Sequence, residues 1–138
     1  MADKPVQHRI LVADDEPSIV LLIKRRLENQ GYGVITAAHG KETLEKARKE
    51  KLALIVLDHS MTILNGFDTC LELKKDAVTK GIPIVVLTAS TEKGIEERYV
   101  SAGAVGVIYK PLVGELMHLI KRILAGEKID WAEYVDKR

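Results

Sequence analysis

Five short apolar runs, rich in β-branched residues, alternate along the chain with longer stretches of mixed polarity. The third and fourth runs are continuously apolar rather than alternating, which indicates strands that are covered on both faces. The pattern predicts five strands: RILVA (9–13), YGVITA (32–37), LALIVL (52–57), IPIVVLT (82–88) and AVGVIY (104–109).

The stretches between these runs have the features of helices. The first has Pro17 in its opening turn, apolar residues on one stripe and Gly31 as a stop signal. The others are predicted at about 41–51, 66–75, 92–102 and 112–125, the last two ending at Gly103 and Gly126. Strand and helix alternating five times predict a parallel sheet with helices on both faces.

Composition narrows the class of protein. A length of 138 residues is that of one domain, and a net charge of +1 gives no basic field for nucleic acid or an anionic membrane. No apolar run approaches the ~20 residues that span a bilayer, and the polar start MADKPVQHR lacks the apolar core of a signal peptide. The single cysteine cannot form an internal disulfide, which fits the cytoplasm.

Polar side chains follow four of the five predicted strands. In a doubly wound sheet, ligands bind at the carboxyl ends of the strands. Asp14 and Asp15 come after the first strand, Asp58 after the third, Thr88 at the end of the fourth and Lys110 after the fifth. Singly, these could be an N-cap, a turn acid, a strand residue and a solvated charge. Together, they predict three acids, a hydroxyl and an ammonium at one edge.

Clustered carboxylates are costly unless a cation compensates them. At an effective dielectric constant of ~20, two carboxylates ~4 Å apart repel by about 4 kcal/mol. Mg²⁺ relieves such repulsion and binds through one or two carboxylates together with waters and phosphate oxygens. Asp14 and Asp15 are therefore interpreted as part of a magnesium site.

Magnesium beside a carboxylate, a lysine and a hydroxyl indicates phosphoryl chemistry. Asp58 can attack phosphorus and form an acyl phosphate. The metal and Lys110 would offset charge on the phosphoryl oxygens while Thr88 donates a hydrogen bond, and the small Ala89 leaves space for the incoming group.

These motifs resemble those of the receiver domain of two-component response regulators, of the chemotaxis-regulator type. The resemblance rests on the acidic pair after the first strand, LDHSM followed by NG, LTAS, and KP after the fifth strand. It implies a flavodoxin-like (βα)5 fold with a five-stranded parallel sheet in the order 2-1-3-4-5. We expect a single receiver domain over 1–138, with a core at about 8–125 and a short tail at 126–138.

The resemblance also implies roles for individual residues. Asp58 matches the phosphoacceptor, and the metal ligands would be Asp14, Asp15, Asp58 and the backbone carbonyl of Ser60. Thr88, Ala89 and Lys110 match the switch and phosphoryl-binding positions, and Lys110–Pro111 matches a peptide bond that is typically cis. The implied cofactor is Mg²⁺, for which Mn²⁺ is the expected substitute.

As a function, the resemblance implies a phosphorelay receiver. A histidine kinase or histidine phosphotransferase would phosphorylate Asp58, and the phosphorylated chain would bind a separate protein through the face of helix 4, strand 5 and helix 5. Such a chain catalyses only its own phosphorylation and dephosphorylation and is no enzyme toward other molecules. We expect a standalone monomer or weak dimer in the cytoplasm, without nucleic acid or membrane partners.

Three other functions are weighed against this one. A phosphohydrolase of the haloacid-dehalogenase type needs a second Asp two residues after the nucleophile, where this chain has Ser60. A flavin carrier on the same fold needs a first loop rich in Ser, Thr and Gly, unlike ADDEPS. A degenerate receiver that acts as a phosphorylation-independent scaffold stays open as the alternative.

Two positions depart from the family pattern. Met61 is followed by Thr62 instead of Pro, so the loop loses a rigid φ. Val107 stands three residues before Lys110, where the family often has an aromatic residue that rotates on activation. We therefore expect the response to depend on Thr88, Lys110 and the loop 89–94, with less rearrangement of the face of helix 4, strand 5 and helix 5.

The remaining chemistry-bearing residues have ordinary interpretations. The four histidines have no zinc-like spacing, and His59 is expected to face solvent in its loop. Cys70 is expected to be a small core residue of the third helix. Ile129, Trp131 and Tyr134 predict a short amphipathic helix that packs on the body of the domain.

Overall fold

In a computed structural model of the chain, residues 8–136 are described, and strands and helices alternate along them. The strands are β1 (Arg9–Ala13), β2 (Gly33–Ala37), β3 (Leu54–Leu57), β4 (Ile84–Thr88) and β5 (Gly106–Tyr109). The helices are α1 (Pro17–Asn29), α2 (Gly40–Lys49), α3 (Gly66–Lys75), α4 (Ile95–Ser101), α5 (Val113–Leu124) and α6 (Trp131–Asp136). The polar start at 1–7, from which the lack of a signal core is inferred, lies outside the described residues.

The five strands form one parallel sheet in the order β2-β1-β3-β4-β5. This confirms the doubly wound fold and its strand order. The order reverses between β1 and β3, so the crevice at their carboxyl ends is the position where such folds bind ligands.

Several element boundaries are wrong in the sequence prediction. The strands after β1 begin one or two residues later than predicted, and α4 begins at Ile95 rather than at Glu92. Residues 89–94 form a loop instead, in which the hydroxyl of Ser90 accepts from the backbone N–H of Glu92. Gly94 has a φ of 80°, so the chain turns there before the helix starts.

The sheet is buried on both faces, as its continuous apolar runs predict. In β1, Ile10 and Val12 belong to the core on the side of α1 and α5, whereas Leu11 and Ala13 belong to the core on the side of α2, α3 and α4. Successive side chains of a strand point to opposite faces, so both core layers need apolar residues in every central strand.

The predicted tail helix packs on the body of the domain. Trp131 of α6 is buried in the same core layer as α5 and stacks on Tyr134 at 5.0 Å between ring centroids. Its indole ring lies against β5 at Gly106, where a Cβ would come within 2.1 Å of the ring. The missing side chain of Gly106 therefore makes the space for Trp131.

A single carboxylate connects α6 to α4 and β5. The indole N–H of Trp131 donates to Glu96 Oε1 at 3.1 Å, and the hydroxyl of Tyr109 donates to Glu96 Oε2 at 3.0 Å. The chain's own α6 thus covers part of the face of α4, β5 and α5. Within residues 8–136, no helix combines the length and the apolar composition that crossing a bilayer requires.

Gly106→Ala is expected to displace Trp131 and detach α6, because the added methyl group occupies the position of the indole ring. Overpacking of this kind costs about 1–3 kcal/mol in the free energy of unfolding. The emission of Trp131, the single tryptophan of the chain, should shift to longer wavelength while the circular dichroism of the remaining helices is retained.

Gly114→Ala is the matched control, because nothing lies within 4 Å of a Cβ at Gly114 in α5. It should leave the Trp131 emission unchanged and raise the free energy of unfolding by about 0.5–1 kcal/mol. Unshifted Trp131 emission in Gly106→Ala would contradict the packing described for α6.

Candidate functional site

The register of β1 and β3 places two carboxylates side by side. Ala13 pairs with Leu57, so the residues that follow them, Asp14 and Asp58, leave the sheet together. The backbone N–H of Asp58 donates to Ala13 O at 2.9 Å, which holds this alignment. Both side chains are buried, with relative exposures of 4% for Asp14 and 3% for Asp58.

Asp15 completes a cluster of three acids. One carboxylate oxygen from each of Asp14, Asp15 and Asp58 lies within 4.8 Å of the others. Asp15 is exposed, whereas Asp14 is held in place because its Oδ1 accepts the backbone N–H of Glu16 at 2.9 Å. The cluster therefore has two fixed, buried acids and one that faces solvent.

Lys110 is the cation that the fold delivers to this cluster. Its Nζ lies 2.9 Å from Asp14 Oδ2, 3.0 Å from Glu16 Oε1 and 3.7 Å from Asp58 Oδ1. Burial lowers the pKa of the Lys110 ammonium, but the hydrogen bonds to Asp14 and Glu16, together with the negative charges of Asp58 and Asp14, raise it overall. The peptide bond Lys110–Pro111 is cis.

Asp58 is the acid with the strongest electrostatic conflict. Burial raises the pKa of its carboxyl group to about 6, and the nearby carboxylate of Asp14 adds to the rise. Lys110 and the backbone N–H of Ser60, which donates to the Asp58 carboxylate, act in the opposite direction and do not cancel it. A cation bound beside Asp58 would offset the repulsion from Asp14 and so favour the ionised form of Asp58.

The other predicted residues lie at the carboxyl end of β4 or in the loops that follow β3 and β4. Thr88 ends β4, is fully buried, and its hydroxyl oxygen accepts the backbone N–H of Ser90 at 3.1 Å. Ala89 is exposed directly after it. Ser60 is exposed in the loop that follows Asp58.

The loop after Asp58 is anchored at the start of α2. Ile63 and Leu64 have φ values of 46° and 81°, the left-handed region that residues other than glycine seldom adopt. The backbone N–H of Lys41, at the start of α2, donates to Ile63 O at 3.2 Å. A Cβ at Gly40 would lie 2.2 Å from Leu64 O, so a glycine is needed for this close approach.

His59 does not face solvent, so that expectation is wrong. Only 16% of its side chain is exposed. Its Nδ1 lies 2.6 Å from the hydroxyl oxygen of Tyr99, and its Nε2 lies 3.3 Å from Glu92 Oε2. The ring turns inward because a buried tyrosine hydroxyl needs a hydrogen-bond partner.

Tyr99, which the sequence analysis does not single out, is fully buried on α4. The available signal is its position four residues after Ile95, which places both on the apolar stripe of a short helix. Val107 and Cys70 are buried in the same core layer as Tyr99, so the prediction that Cys70 is a core residue is confirmed.

The donor set of the acidic cluster fits a hard divalent cation. It consists of carboxylate oxygens, which Mg²⁺ and Mn²⁺ prefer, without the thiolate or imidazole ligands that favour zinc. Lys110, the cation that the salt bridges of residues 8–136 place at this cluster, is bound chiefly by Asp14 and Glu16 and lies farther from Asp58. Three acids with one shared ammonium leave negative charge for a metal to balance.

Asp58→Asn is expected to be more stable than the wild type at neutral pH in the presence of a chelator. The folded-state pKa of about 6 exceeds the ordinary value of 3.8, so the native state keeps a proton that the unfolded chain releases. The free energy of unfolding of the wild type should therefore fall as the pH rises through this window, by on the order of 2–3 kcal/mol.

Urea unfolding of both proteins at a series of pH values measures this effect. The advantage of Asp58→Asn should be absent at about pH 3, below the ordinary pKa of 3.8, full near pH 7, and smaller with Mg²⁺, which favours ionised Asp58. Asp68→Asn, which makes the same chemical change at an exposed carboxylate in the first turn of α3, is the matched control. A pH-independent difference between wild type and Asp58→Asn would contradict the raised pKa.

Comparison with known proteins agrees with this geometry. The family model for the response regulator receiver domain matches residues 10–124. The alkaline phosphatase synthesis transcriptional regulatory protein PhoP of Bacillus subtilis is 40% identical over 122 residues, which are 88% of this chain and 50% of that protein. This chain thus spans about half the length of that relative.

Two further relatives match over nearly their whole length. Protein PilH of Pseudomonas aeruginosa is 34% identical over 119 residues, 86% of this chain and 98% of PilH. The receiver domain of a sensor histidine kinase from Pseudomonas aeruginosa, solved with a magnesium ion coordinated in its active site cleft, has a TM-score of 0.79 and 26% identity, covering 87% of this chain and 99% of that one. The chain belongs to the response regulator receiver domain family of two-component signalling.

Proposed function

We propose that this chain accepts a phosphoryl group on Asp58 from the phosphohistidine of a histidine kinase or histidine phosphotransferase, and that phosphorylation switches its binding to a separate protein. The observation that carries the proposal is a buried carboxylate beside two other acids and a lysine at the crevice between β1 and β3. Magnesium, or manganese in its place, would be held by Asp14, Asp15, Asp58 and the backbone carbonyl of Ser60.

The transfer is a substitution at phosphorus. An oxygen of ionised Asp58 forms the new P–O bond while the P–N bond to the donor imidazole breaks, and the imidazole leaves with the electron pair and takes up a proton. When bound, the metal would balance charge on the acids and on the phosphoryl oxygens. The chain acts as its own substrate here and not as an enzyme on other molecules.

Lys110 and Thr88 have donors for the new phosphoryl oxygens. The Lys110 ammonium is already within 3.7 Å of Asp58 Oδ1, so a small movement away from Asp14 brings it to an oxygen on phosphorus. The Thr88 hydroxyl accepts from Ser90 N–H, which leaves its own hydrogen to donate. Ala89 is small and exposed, which supports access for the donor.

The proposed partner surface is the face of α4, β5 and α5. In this chain α6 covers part of that face through Trp131, so a partner would contact α6 or displace it. The single cysteine, Cys70, is buried and free, which supports a reducing compartment, and the proposal places the reaction in the cytoplasm.

Incubation with acetyl phosphate and Mg²⁺ should add the mass of one phosphoryl group to the wild type and none to Asp58→Asn. A chelator should block labelling of the wild type, since three carboxylates would otherwise repel the incoming anion. Asp68→Asn is the matched control, and intact-protein mass spectrometry is the measurement. Equal labelling of Asp58→Asn and wild type would overturn the assignment, and an unlabelled wild type would favour the scaffold alternative.

Lys110→Ala should retain the fold and bind the phosphoryl mimic beryllofluoride about tenfold or more weakly. A charge-assisted hydrogen bond contributes roughly 1.5–3 kcal/mol, and 1.4 kcal/mol corresponds to tenfold. Calorimetric titration with Mg²⁺ present measures the dissociation constant. Lys75→Ala, which removes an exposed ammonium paired with Glu72 on α3, should bind as the wild type does. Unchanged affinity in Lys110→Ala would remove Lys110 from the phosphoryl site.

A further inference from the structure

A hydrogen-bonded path runs from the residue after Asp58 to α4. His59 Nδ1 lies 2.6 Å from the hydroxyl oxygen of Tyr99, and His59 Nε2 lies 3.3 Å from Glu92 Oε2. Tyr99 belongs to α4 and Glu92 to the loop that leads into it. One imidazole therefore contacts both the helix and its preceding loop.

The chemistry of the partners orients these hydrogen bonds. An ionised carboxylate only accepts, so the imidazole tautomer that satisfies both contacts has its hydrogen on Nε2, directed at Glu92. Nδ1 is then an acceptor and takes the hydroxyl hydrogen of Tyr99. Burial raises the pKa of the Tyr99 hydroxyl, so it stays protonated and keeps donating.

Close packing makes the path stiff. The Tyr99 ring lies edge-on between His59 and Phe67, with centroid distances of 5.5 Å to each. A Cβ at Gly66 would lie 2.3 Å from Asp58 O, 2.7 Å from His59 Cα and 2.8 Å from the Tyr99 hydroxyl oxygen. With no room between these groups, a displacement of the loop after Asp58 is passed on to Tyr99 rather than absorbed.

Glu92, the second partner of His59, is also bound to α4. Arg98 of α4 donates to Glu92 Oε1 at 2.6 Å and lies 4.6 Å over the ring of Phe67. By contrast, Val107 of β5 is fully buried and has no polar atom on its side chain. The described contacts thus connect Asp58 to α4 through His59 and offer no comparable polar connection through position 107.

We propose that Tyr99 is a positioning residue that ties the phosphoacceptor loop to α4 through His59, and that this hydrogen bond transmits phosphorylation of Asp58 to α4. The inference rests on the proposed phosphorylation of Asp58. It changes the expectation drawn from the missing aromatic at 107: α4 responds with the loop 89–94, and β5 stays in place. A ligand shifts such an equilibrium only through contacts that differ between two states, and the His59–Tyr99 contact supplies one.

Tyr99→Phe tests the link, since it keeps the ring and removes only the hydroxyl. The readout is the set of amide chemical-shift changes in Ile95–Ser101 at saturation with beryllofluoride and Mg²⁺, which removes any difference in affinity. These changes should be about twofold or more smaller in Tyr99→Phe than in the wild type. Tyr32→Phe, the same chemical change beside the opposite sheet edge at β2, should respond as the wild type does.

His59→Phe is the second variant, since it keeps an aromatic ring and removes both ring nitrogens. If both substitutions break the same His59–Tyr99 hydrogen bond, the α4 shift changes of the double variant should be no smaller than those of each single variant. If they cause two unrelated packing defects, the losses of the two single variants should add in the double variant. Emission of Trp131, whose indole N–H donates to Glu96 of α4, gives an independent readout of the same movement.

Each result separates this inference from the proposed function. A wild type that gains no phosphoryl mass from acetyl phosphate and binds no mimic would overturn the proposed function, and the inference with it. A wild type that does both, together with full α4 shifts in Tyr99→Phe and His59→Phe, would overturn the inference alone. Large shifts centred on Val107 and Tyr109 in place of α4 would overturn it as well.

Discussion

The repulsion between carboxylates at the crevice of β1 and β3 is the constraint on which the rest of the site depends. Asp14 and Asp58 follow paired residues of adjacent parallel strands, so the sheet itself holds them together. Neither can move away without breaking the ladder, and burial denies them the water that would screen their charges. Burial, and after it the neighbouring carboxylate of Asp14, therefore raises the pKa of Asp58.

The positions of the neighbouring groups can be understood as responses to that charge. Lys110 enters from the far strand β5 and lies against Asp14, with Glu16 as a second partner. Because Asp14 takes the closest contact, Asp58 retains unbalanced negative charge. A buried pair of this kind adds little net stability, since desolvation offsets the attraction. The pair instead leaves Asp58 with negative charge that a metal ion would balance, and it holds Lys110 within reach of a phosphoryl group on Asp58.

Two contacts connect α4 to the loop after Asp58 on one side and to α6 on the other. Its inner side meets His59 through Tyr99, and its outer side meets α6 through Glu96. A short helix of seven residues has little stability of its own, so its position depends on such tertiary contacts. The helix is therefore suited to take more than one position as the groups on either side of it change.

Much of the fold and most of the site follow from local sequence. Apolar runs of β-branched residues between helical stretches determine the parallel sheet, and the acids, Thr88 and Lys110 directly after those runs predict which residues meet at its edge. These features are readable because they depend on the two-residue period of strands and on the shared direction of parallel strands. The short tail helix is predicted by the spacing of Trp131 and Tyr134, because residues three apart lie on one face of a helix.

Other features were decided only by the tertiary structure. His59 turns inward because Tyr99, 40 residues away, buries a hydroxyl that needs a partner, and no local pattern around His59 contains that information. Gly106 admits Trp131, and Gly40 admits the loop after Asp58, through close approaches between segments that are distant in sequence. Local sequence determines which residues are apolar, charged or flexible. Which of them share a hydrogen bond or a cavity depends on how the helices and strands pack against one another, because these contacts join residues that are distant in sequence.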